Sequence, residues 1–81
     1  MKRFRDELWR LAEDGDAPAL RHAAGLLDEY DTHRALAFAL AVEGDEAGAL
    51  EELERWQGEW PFAKARADDV ARVRRLARRR R

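Results

Sequence analysis

Apolar residues recur along this chain at helical spacing, in five segments separated by glycine, aspartate and proline. In the first, residues 2–14, Phe4, Leu8, Leu11 and Ala12 share a face with Trp9 beside them, which predicts an amphipathic helix. Gly15 is suited to end it and Asp16 to cap the next one. The second predicted helix, 17–29, carries Leu20, Ala23, Ala24 and Leu27. Its Pro18 falls in the first turn, where a missing N–H breaks no intrahelical bond. Asp31 or Thr32 can cap a third helix, 33–43, with Leu36, Ala37, Leu40 and Ala41 on its stripe. Gly44 and Asp45 repeat the stop and start signals before a fourth, 46–57, marked by Ala49, Leu50, Leu53 and Trp56. Gly48 within that helix costs about 1 kcal/mol relative to alanine, so its first turn is either weak or closely packed. Gly58 and Pro61 mark the last break. A fifth helix over 62–79 then presents Phe62, Val70, Val73, Leu76 and Ala77. No segment alternates with period two and β-branched residues are scarce, so no sheet is expected.

The segments are not independent. Trp9-x-Leu11-Ala12 precedes Gly15-Asp16, and Phe38-x-Leu40-Ala41 precedes Gly44-Asp45, 29 residues later. Ala19-Leu20 and Ala49-Leu50 follow, 30 residues apart. Each unit is a helix, a Gly-Asp turn and a second helix. Such a hairpin has an apolar face it cannot bury alone, so the units must stack. The chain therefore divides into a first pair (1–29), a second pair (30–60) and a basic last helix (61–81), all within one domain.

In these residues the chain resembles the tetratricopeptide repeat family. The second unit matches best: Leu36, Ala37, Leu40, Gly44-Asp45, Ala49, Leu53 and Pro61 fall at family positions, while Trp56 stands where a small residue is usual. The first unit matches through Phe4, Leu8, Leu11, Gly15-Asp16 and Ala19, with Glu7 where leucine is usual. The family repeat is about 34 residues, so the link between units is shortened here. The resemblance implies an all-α fold: two stacked antiparallel helix pairs in a right-handed superhelix, with the last helix as a cap. It also implies a concave groove lined by the first helix of each pair. Lys2, Arg5, Trp9 and Glu13 would face it from the first unit, and Asp31, Arg34, Phe38 and Val42 from the second. Arg5, Trp9, Arg34 and Phe38 are then the candidate partner-binding residues, each aromatic with a cation beside it. A competing reading, favoured by the small size of the core, packs Trp9 and Phe38 beneath the last helix.

Charge adds a second candidate. Residues 1–63 hold 7 Lys or Arg against 15 Asp or Glu, whereas 64–81 hold 9 against 2. The excess gathers in Arg72, Arg74, Arg75, Arg78, Arg79, Arg80 and Arg81. Such a run suits a solvated helix end, where cations meet the helix dipole. It also suits an acidic protein face, or phosphates of nucleic acid or a membrane surface. The acidic remainder would repel a duplex.

Other chemistry finds little support. There is no cysteine, no serine and one threonine, so neither a thiolate nor a hydroxyl nucleophile is expected. No glycine-rich phosphate loop is present. His22 and His33 lack a paired ligand pattern, so no metal or other cofactor is expected. His33 falls at the seam of a helix pair. No apolar stretch follows the basic start and none reaches the ~20 residues of a membrane span. A cytoplasmic, non-enzymatic helical-repeat module is therefore expected. It would bind a protein or peptide or close on itself as a homodimer, and the alternative is nucleic-acid binding through the arginine tail.

Overall fold

A computed structural model describes residues 2–27, 29–55 and 63–80, with side chains over 7–27, 30–55 and 67–79. These residues form five helices and no strand: α1 (Lys2–Glu13), α2 (Ala17–Ala24), α3 (Glu29–Val42), α4 (Glu46–Glu54) and α5 (Ala63–Arg80).

The two Gly-Asp turns are built alike, which gives the repeat a physical basis. Gly15 and Gly44 both adopt positive φ, 75° and 90°. The Gly15 amide then reaches the Ala12 carbonyl and the Asp16 amide the Leu11 carbonyl, both at 3.0 Å. In the second turn Gly44 donates to Ala41 and Asp45 to Leu40, both at 2.9 Å. This crossed pair of bonds satisfies two carbonyls that a helix end leaves open. The aspartates at once cap the next helix: Asp16 accepts from the Ala19 amide at 3.1 Å and Asp45 from the Gly48 amide at 2.8 Å. Gly48 is closely packed rather than weak. A Cβ added there would lie 2.3 Å from an oxygen of the Asp45 carboxylate.

The link between the pairs differs from the expected boundaries. α2 stops at Ala24 instead of running to 29, and α3 starts at Glu29, four residues before the expected 33. Gly25 closes α2 with its amide on His22 and Ala23 carbonyls. Thr32 does not cap α3. It lies inside that helix, and its Oγ1 donates to the Ala24 carbonyl at 2.8 Å, so it closes the end of α2 instead. Trp56, Gly58, Pro61 and Phe62, on which the fourth and fifth boundaries were placed, lie outside the described residues, as does Arg81.

Helix α3 is the hub. It packs against α1, α2, α4 and α5. It is accordingly covered nearly all round, with Tyr30, Ala35, Ala37, Phe38, Ala39 and Ala41 buried. Its small alanines let four neighbours approach closely. The other helices each present one stripe to it: Leu8 and Ala12, Ala17 and Leu20, Ala49 and Leu53, Val73 and Leu76. Asp69 lies near the start of α3, on Tyr30 and Arg34, while Leu76 and Arg79 meet the ends of α1 and α3 around a pocket with Ala12 and Val42. α5 therefore runs parallel to α1 and α3.

Candidate functional site

The expected groove is closed by the chain itself. Asp69 of α5 is completely buried, and three donors converge on its carboxylate. Tyr30 Oη donates to Oδ2 at 2.7 Å, Arg34 Nε to the same oxygen at 2.9 Å, and Arg72 Nη1 to Oδ1 at 2.9 Å. A carboxylate at that depth is tolerated only when paired and hydrogen-bonded, and here it is both. The two arginines in turn lie over aromatic rings. The Arg34 guanidinium sits 4.8 Å from the Phe38 ring centre, and that of Arg72 sits 5.6 Å from Trp9. Trp9 and Phe38 meet edge to face at 5.7 Å. The contacts close a ring, Asp69–Arg34–Phe38–Trp9–Arg72–Asp69, which stitches α1, α3 and α5 together.

The candidate groove residues are redistributed by this ring. Phe38 is fully buried and Arg34 is 5% exposed, so neither faces an open groove. This corrects their placement as partner-facing residues. α5 lies over them, and its Asp69 supplies a carboxylate to Arg34 from within the chain. Trp9 is partly covered and belongs to the same packing. Arg5 lies in α1, with its side chain outside the described set. Asp69 itself was not among the candidates. Its signal was present: it stands four residues before Val73, on the buried stripe of α5, three before Arg72.

The arginines of α5 divide by helical position. Arg72 turns inward to Asp69 and Trp9. Arg74, Arg75, Arg78 and Arg79 are exposed on the outer face, with Ala71 among them around a shallow hollow. None of the four has an ion pair among the described residues. Arg80 continues the helix with its side chain outside the described set.

Other charged pairs are structural. Arg21 grips Glu43 with both terminal guanidinium nitrogens, joining α2 to the α3–α4 turn, the Nη2 contact being 2.8 Å. The hydrogen bond from Arg21 holds the Glu43 carboxyl below its ordinary range, and the same bond raises Arg21. His33 lies at the α3–α4 seam as expected, with Nδ1 3.4 Å from the mostly buried Glu52, which Arg55 also approaches at 3.5 Å. His22 is exposed. Among the described residues no helix is long and apolar enough to cross a membrane.

No family model, curated protein or solved structure matches this chain.

Proposed function

We propose that this chain is a non-enzymatic protein-interaction module of helical-repeat type, tetratricopeptide-like in its hairpins, whose binding surface is the outer face of α5. One observation carries the reading. Arg74, Arg75, Arg78 and Arg79 stand exposed without ion pairs among the described residues, while the opposite face of the same helix is locked into the core through Asp69, Val73 and Leu76. The arginines are thus held on a rigid element, at fixed spacing, with their side chains exposed to solvent. An acidic protein segment is the matching partner, because each guanidinium can grip a carboxylate with two hydrogen bonds. The proposal places the module in the cytoplasm, a setting suited to a chain without cysteine.

Nucleic acid is the competing partner for the same arginines. Single-strand binding relies on exposed aromatic platforms, and among the described residues of α5 there is no aromatic. The acidic remainder of the chain also opposes a duplex. A direct comparison tests the assignment. Anisotropy with a labelled poly-glutamate peptide, and with a duplex of equal charge, is measured at low salt for the native chain and for R74E/R78E. The expected result is peptide binding that the double variant loses while its helical circular dichroism is unchanged. Unchanged binding in that variant overturns the proposal, and tighter binding of the duplex gives the face to nucleic acid instead.

A further inference from the structure

The arginine row borders an apolar pocket. Where α4 meets α5, Leu50, Leu53 and Val70 line a cavity of about 260 Å³, with Glu54 and Arg74 also in its wall. Leu53 is fully buried, but Leu50 and Val70 are only partly covered. Arg74 also lines the hollow formed with Ala71, Arg75, Arg78 and Arg79. The pocket and the arginines are therefore one continuous surface, joined at Arg74.

Spacing along α5 says what fits. Val70, Arg74 and Arg78 recur every fourth residue, so they form a row with steps of about 6 Å. A helix laid along the α4–α5 seam presents its own residues at the same step. An apolar side chain over Leu50 and Val70 brings the partner's residues four and eight positions away opposite Arg74 and Arg78. Those arginines have no ion pair among the described residues, so carboxylates are the complement there. Arginines alone would make a surface contact that salt weakens, and exposed pairs contribute little. A buried apolar anchor adds the desolvated contact that holds most interfaces together.

We infer that the α4–α5 seam docks an acidic amphipathic helix of a partner protein, with one apolar residue in the Leu50–Val70 pocket and carboxylates four and eight residues away on Arg74 and Arg78. The inference rests on the assignment of the outer face of α5 to an acidic protein partner and specifies the segment it takes.

The probe is a labelled alanine- and glutamine-based helical peptide with one leucine and two glutamates at those positions, made with the acids before or after the leucine. Binding is read by anisotropy on the full chain. One of the two orders is expected to bind, its Leu→Gln version about tenfold more weakly. Leu50→Gln and Arg74→Glu in the protein are each expected to cause a loss of at least that size, with helical circular dichroism retained. The peptide change needs no protein variant, so the test survives if Leu50→Gln disturbs folding. Equal binding of the leucine and glutamine peptides, with loss only in Arg74→Glu, removes the anchored helix and leaves the arginine face standing. Binding of neither, with poly-glutamate also unbound, removes both. A concentration-dependent dimer that excludes the peptide overturns the inference in favour of a second copy.

Discussion

Removing the Asp69 carboxylate should do more damage than any other single change at the surface of α5. Asp69→Ala takes the Asp69 carboxylate away from three donors. Arg72 is 40% exposed in its side chain and can turn to water. Arg34 cannot, because its side chain is 6% exposed beneath α5. The loss is therefore set by a buried guanidinium deprived of the Asp69 carboxylate, which costs about 3–5 kcal/mol. The whole stability of a chain this size is about 4–12 kcal/mol. Urea unfolding followed by circular dichroism and tryptophan fluorescence should show a fall of about a quarter or more, or no folded baseline at all. Tyr30→Phe removes only one donor and should cost about 1 kcal/mol. The decisive control replaces the whole cluster. Y30F/R34M/D69L removes the two buried charges and the hydroxyl of this cluster together, and it should recover to within about 2 kcal/mol of the native chain. A loss below about 1 kcal/mol in Asp69→Ala would mean that Arg34 does not depend on the Asp69 carboxylate, and the lock on α5 would have to be given up. A triple variant no better than the single one would show that packing, not the unpaired charge, sets the cost.

Other outcomes follow from the turns and the surface pair. Gly15→Ala and Gly44→Ala each place a Cβ on a backbone at positive φ, 75° and 90°, and should each cost about 1–2 kcal/mol in chemical denaturation. Gly48→Ala should be neutral or stabilising by up to about 1 kcal/mol. The first unit already carries Ala19 at the corresponding cap with its bond to Asp16 intact at 3.1 Å, so the Asp45 carboxylate, the end of a flexible side chain, has to swing by about 1 Å to a similar arrangement. A clear destabilisation there would show that Asp45 cannot yield. Glu43 is held below its ordinary pKa by Arg21, so its contribution is present above the unfolded carboxyl pKa of about 4.3 and lost as pH falls through the lower folded value. Glu43→Gln should flatten the stability profile across that acidic window, and 1 M salt should erase most of the difference, since both groups are exposed.

The helices were legible because their punctuation is chemical. Gly15-Asp16 and Gly44-Asp45 each combine a residue that tolerates positive φ with one that caps the next helix, and both turns form as read. The middle boundary was harder because Thr32 has two possible uses. Read locally it caps the helix that follows it, but folded it bonds back to Ala24, eight residues upstream. Contacts of that range leave no periodic trace. Arg34 misled and Asp69 was missed for the same reason. Each is a charged residue on a buried stripe, Arg34 between Tyr30 and Phe38, Asp69 one turn before Val73. Taken separately they suggest solvent or a partner. They make sense only as a pair 35 residues apart, which the periodicity of either helix alone cannot announce.

This pairing also explains why the charge asymmetry resides in α5. A helix with nine cations in and around it gains from more than apolar burial, because among its described residues the stripe is short: Val73, Leu76 and Ala77 with Val70 at the edge. Asp69 adds a directional lock at the N-terminal half of that stripe, and Arg72, one turn later, shares it. The lock fixes the rotation of the helix about its axis, since turning by one residue would bury Arg72 or Arg74 and expose Asp69. Rotation is what decides which arginines face out. The same carboxylate that holds α5 over Arg34 and Phe38 therefore also keeps Arg74 at the α4–α5 seam and Arg78 on the outer face, so closure of one surface and presentation of the other both depend on Asp69.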